Sequence, residues 1–97
     1  MNLTEFRSST TLEQPAPGLS LPLQTLWWEA KGDWKRAHEC AQEDHSAKGS
    51  MVHAYLHRVE GDLSNAGYWY SRAGRPQATC SLAEEWQALA DELLAAR

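Results

Sequence analysis

Apolar positions recur along this chain at intervals of three and four, the period of a helix face, in five separate blocks. In the first block Leu23, Leu26, Trp27 and Ala30 form one stripe with Trp28 beside it, and Ser20 followed by Pro22 marks a helix start. The spacing predicts a helix over 21–31, ended by Gly32. Asp33 then caps a second helix over 34–44, with Trp34, Ala37, His38 and Ala41 inward and Lys35, Glu39, Gln42 and Glu43 outward. After a linker at 45–49, Val52, Tyr55, Leu56 and Val59 mark a third helix over 50–60. Gly61 stops it, and Asp62 caps a fourth that reaches Ala73, with Leu63, Ala66, Gly67, Tyr70 and Ala73 inward and Trp69 at the border. Gly74 and Pro76 end that helix. Ser81 and Glu84 then form a capping box for a fifth helix, inward along Leu82, Trp86, Leu89 and Leu93 and running to about Ala95. This last helix is expected to cover the flank of the second hairpin as a lid.

Residues 1–19 show no such period. They are rich in Thr and Ser and run into Gln14-Pro15-Ala16-Pro17-Gly18, which favours an extended path. Leu3, Phe6 and Leu12 are the side chains able to tack this segment down. The expectation is an extended or partly disordered N-terminal arm over 1–19 and a single helical domain over 20–97. Val occurs only at 52 and 59 and Ile not at all, a composition that argues for helices over sheet. Five Trp side chains, each covering roughly 150–250 Å² when buried, supply much of the one core that 97 residues can hold. The fold class is all-α, two antiparallel hairpins closed by a C-terminal capping helix.

Charge and cysteine content narrow the function classes. A net charge of −4 with no basic run speaks against a nucleic-acid partner. No run approaches the ~20 apolar residues of a membrane span, and the first 20 residues lack the apolar stretch of a signal peptide. Cys40 and Cys80 are too few and too widely spaced for a disulfide framework or a zinc ribbon, and read as reduced thiols of a cytoplasmic protein. No nucleophile elbow, P-loop or Gly-rich phosphate cradle is present. A Ser50, His53 and Asp62 set can be assembled, but a chain of this size offers many such sets, and enzyme activity has no positive support.

Laying Gly32-Asp33 over Gly61-Asp62 exposes an internal repeat of 29 residues. Leu23, Leu26, Trp27 and Ala30 then fall on Val52, Tyr55, Leu56 and Val59, and Ala37 falls on Ala66. The second unit, EGDLSNAGYWYSRAGRP, resembles the tetratricopeptide repeat: Gly61 at the turn, Ala66 five residues on, Tyr70 four beyond, then Ala73. The resemblance places Ala54 at the small position of the unit's first helix and His57 at its inward aromatic position. It implies a degenerate, tetratricopeptide-like unit, since the repeat is shorter than the family's ~34 residues, Pro76 comes early and Ala41 stands where an aromatic belongs. The string HAYLHRVEGDLSNAGYWYSRAGRP is also similar to one in small uncharacterised bacterial and fungal proteins, a resemblance that implies no activity.

Two constellations carry candidate chemistry. His53 and His57, at i and i+4 with Glu60 one turn on, form what reads as an exposed stripe, and could share a divalent metal, with His38 or a carboxylate of the second helix completing the set. Arg58, Tyr68, Trp69, Arg72 and Arg75 form the second: aromatic rings beside guanidiniums can hold a carboxylate, a phosphate or a peptide terminus. The leading expectation is a non-enzymatic module that binds a protein or peptide, or itself as a homodimer. Its contact surface would be the His53/His57 flank with the Tyr68/Trp69/Arg72 face. The alternatives are a metal-binding protein or metal-dependent enzyme built on His38, His53 and His57, and a small-anion binder built on Arg58, Arg72 and Arg75.

Overall fold

Each hairpin of the fold turns on the same device. Gly32 and Gly61 both take φ of +86°, a left-handed backbone open to Gly without strain. The Gly32 N–H reaches the Glu29 carbonyl and the Asp33 N–H reaches Trp28; in the second turn Gly61 reaches Arg58 and Asp62 reaches His57. These paired bonds satisfy the last carbonyls of one helix. The Asp that supplies the second bond then caps the next helix, Asp33 accepting from the Arg36 N–H at 3.0 Å and Asp62 from Asn65 at 3.2 Å.

The computed structural model describes residues 1–96, and all their regular structure is helical. Its elements are α1 (Leu3–Ser9), α2 (Leu21–Ala30), α3 (Trp34–Glu43), α4 (Ala47–Val59), α5 (Leu63–Ala73) and α6 (Leu82–Ala95). Helices α2 and α3 form one hairpin and α4 and α5 the other. Helix α4 is the centre, packed against α2, α3, α5 and α6, and every residue from Gly49 to His57 is buried. The core joins Leu23, Leu26 and Trp27 of α2 to Met51, Val52 and Leu56 of α4 and to Trp86, Leu89 and Leu93 of α6. No helix among the described residues is long and apolar enough to cross a membrane.

Four sequence expectations are corrected. The N-terminal arm is not extended throughout. Asn2 and Glu5 form a reciprocal capping box that starts α1, and Phe6 is fully buried with its ring 5.7 Å from that of Trp86. Helix α4 begins at Ala47, because Ser46 rather than a residue after the linker supplies the cap, accepting from the Gly49 N–H at 3.2 Å. Leu82 at the start of α6 lies at the surface, and Ala30 and Leu63 face solvent instead of the core, Leu63 with 63% of its surface open. The latter two sit at the turn ends of their hairpins, where no neighbouring helix covers them. Finally, α6 spans both hairpins, lying against α2 as well as α4, and also covers α1.

Candidate metal centre

Two contacts fix α3 against α4. At the end where the short connection joins the pair, Gly49 is buried so tightly that a Cβ there would stand 2.1 Å from the Asp44 carbonyl oxygen. At the other end, the Trp34 indole N–H donates to the Leu56 carbonyl at 2.9 Å. The two helices therefore run antiparallel at close range, which carries His38 from α3 over the face where i, i+4 spacing has stacked His53 and His57. Both α4 histidines are buried, 3% and 5% exposed, so the expected exposed stripe is an interior one. The reason is that α3 and α5 close over α4 from two sides.

The three imidazoles converge. Their ring centroids are 4.7 Å (His38–His53), 5.0 Å (His53–His57) and 5.3 Å (His38–His57) apart. One ligand nitrogen from each lies within 4.8 Å of the others. The Nε2 atoms of His38 and His53 are 2.9 Å apart, close enough to share a proton or to point at one cation. Two nitrogens bound to a tetrahedral zinc at ~2.0–2.1 Å stand about 3.3 Å apart, so this pair needs to open by only a few tenths of an ångström. His57 Nδ1 lies 2.6 Å from Glu60 Oε1. A carboxylate there holds the proton on Nδ1 and leaves Nε2 with a free lone pair, the arrangement that orients metal-ligating histidines. The donor set and spacing fit a divalent first-row ion.

Aromatic rings fix the histidine planes. His38 stacks on Trp34 at 4.7 Å and 11°, and His53 stacks on Trp69 at 3.7 Å and 10°. Burial, with the neighbouring His38 and His57 charges adding to it, pushes the His53 pKa down to about 4. Burial also lowers that of His38, aided by His57 and opposed by Glu60 and Glu39. Both rings are neutral at pH 7, as a metal ligand must be.

The second constellation is dispersed. Arg58 donates to Glu85 Oε1 at 2.8 Å and to the Cys80 carbonyl, while the Tyr70 hydroxyl donates to the other Glu85 oxygen at 2.6 Å. This buried network ties α4, α5 and α6 together. Arg75 pairs with Glu92. Arg72 lies over the Trp69 and Tyr68 rings and donates to the Tyr68 hydroxyl at 3.2 Å, leaving Tyr68 54% exposed. Arg58, Arg72 and Arg75 line three different hollows, so the anion-binding trio expected from sequence is not brought to one place.

Sequence reading gave three neighbouring groups, Trp34, Asp44 and His45, no part in the site. Trp34 was legible only as core, yet its spacing of four from His38 is the signal for the stack. Asp44 and His45 sit in the turn between α3 and α4 and carry no periodic signal, but they line a hollow that also reaches His53. Comparisons of the chain with family models, curated proteins and solved structures returned no match.

Proposed function

We propose that this protein binds one divalent transition-metal ion, zinc being the default for such a ligand set, through His38, His53 and His57. The observation that carries the reading is the meeting of three imidazoles from two helices, one of them backed by a carboxylate. Chance burial of histidine does not call for three rings within ligand distance, and a structural role would be met by any one of them with a single hydrogen bond. The protein-contact reading loses half its surface, because the His53/His57 flank is interior. That reverses the order of the two readings taken from sequence. The free thiols of Cys40 and Cys80 support a reducing, cytoplasmic setting.

The test is metal titration of dialysed protein, read by elemental analysis and by melting temperature. One zinc, nickel, copper or iron per chain is expected, with a melting temperature that rises with free metal; at a hundred times Kd the gain is about 2.7 kcal/mol. His38 is half-buried, so His38→Ala should remain folded while losing the stabilisation. Protein that retains no stoichiometric metal and melts at the same temperature with and without it would refute the proposal.

A further inference from the structure

Two residues that the helix period points inward, Ala30 of α2 and Leu82 of α6, lie at the surface instead, and both border the same hollow. It has a volume of about 360 Å³ and opens where α1, α2, α4 and α6 meet. Two buried aromatic side chains, Tyr55 and Trp86, form its floor. The Trp86 indole N–H donates to the Leu26 carbonyl at 3.0 Å, so Trp86 offers the hollow only apolar ring surface. The volume falls at the lower end of the range of small-molecule sites, which are mostly apolar with a few placed polar groups. Stripe positions that the chain leaves uncovered are the ones a ligand's hydrocarbon part would take out of water.

The same hollow carries one charge of each sign. Glu29 is half-buried on its wall, and the Arg7 guanidinium lies over the Trp86 ring, 5.5 Å from the centroid. Neither has an ion-pair partner among the described residues, whereas Arg36, Arg58 and Arg75 each have a carboxylate. Arg7 donates one N–H to Gln87 Oε1 at 3.3 Å, which leaves most of its five donors for a ligand. Burial pushes the Glu29 pKa up, opposed by the Tyr55 hydroxyl beside it. A nearby cation relieves a carboxylate desolvated in this way. A simple acid would gain from Arg7 and lose to Glu29, and a simple amine would do the reverse. An α-amino acid with a hydrocarbon side chain satisfies both charges and covers the apolar wall.

We propose that this hollow binds a free α-amino acid with an apolar side chain. Its ammonium group faces Glu29, its carboxylate faces Arg7, and its side chain lies on Trp86 and Leu82. His38, His53 and His57 take no part, so the inference stands apart from the metal reading.

Calorimetric titration of full-length protein, dialysed against chelator so that no metal captures the amino acid, provides the test. L-leucine and L-phenylalanine are each titrated beside their amide, which lacks the negative charge, and their N-acetyl derivative, which lacks the positive one. Saturable binding at one site per chain is expected for at least one of the two acids. Its Kd should lie at least about tenfold below those of both its derivatives, the strength of one charge-assisted hydrogen bond. Arg7→Gln should weaken the free acid by about tenfold and leave the amide unaltered. Glu29→Gln should weaken the free acid by a similar factor and leave the N-acetyl derivative binding no more weakly. Both substitutions lie outside the fully buried core, circular dichroism checks that they fold, and the comparison of derivatives needs no variant. No saturable binding of either acid, a derivative that binds as tightly as its acid, or a folded variant of full affinity would each overturn the inference.

Discussion

His53 is the residue on which the site's electrostatics can be measured without any ligand. Its folded pKa of about 4 lies below the ordinary histidine value of 6.5, so the unfolded chain takes up the proton first as pH falls. The stability this contributes is fully present above pH 6.5 and is lost as pH drops toward 4, and His38, lowered for the same reason, adds with the same sign. A shift of this size corresponds to roughly 3 kcal/mol. Urea midpoints of chelator-treated protein should therefore be flat from pH 8 to 7 and fall steadily between pH 6.5 and 4, with a shallower fall in His53→Gln. Midpoints unchanged from pH 7 to 5 would show that the rings are hydrated rather than buried. The i, i+4 spacing of His53 and His57 could be read from sequence, and so could the proximity of Glu60. Their burial could not, because it depends on α3 and α5 closing over α4, and a local pattern that places His beside an apolar stripe is the same whether that flank is open or covered.

At the scale of elements, α2, α3, α5 and α6 were legible because each carries both a repeating apolar face and a capping residue, Ser20, Asp33, Asp62 or Ser81, at its start. Helix α1 was not. Seven residues are too short to be stable alone, and with only Leu3 and Phe6 as apolar residues there is no period to detect. Its local signal was the Asn2–Glu5 capping box, and its stability comes from a distant partner, the Trp86 ring of α6. That dependence is testable: Phe6→Ala removes a fully buried aromatic and should cost about 3–5 kcal/mol, measured by chemical denaturation. A loss under ~1 kcal/mol would mean that α1 does not pack on α6. The start of α4 was missed for a related reason. Ser46 and Ser50 are both acceptable caps, and the choice between them is made by Gly49, whose missing side chain admits the Asp44 backbone. A helix started at Ser50 would leave that contact unmade.

For the whole molecule, the central fact is that the site bridges the two hairpins. Each hairpin is built by one short turn and needs only local contacts, so both were readable as repeats of a single pattern. How the two hairpins are laid against each other is decided by the Trp34–Leu56 bond at one end and the Gly49–Asp44 contact at the other. Only that arrangement brings His38 to His53 and His57. An ion there would cross-link α3 to α4 and stabilise the assembled core, while the Glu85 network holds α4, α5 and α6 independently of it. The most direct test is X-ray absorption at the zinc edge on protein equilibrated with zinc and then dialysed. The account predicts a four-coordinate shell with three imidazole nitrogens at about 2.0 Å and one further light atom. A six-oxygen shell, or protein that emerges from dialysis without zinc, would contradict it.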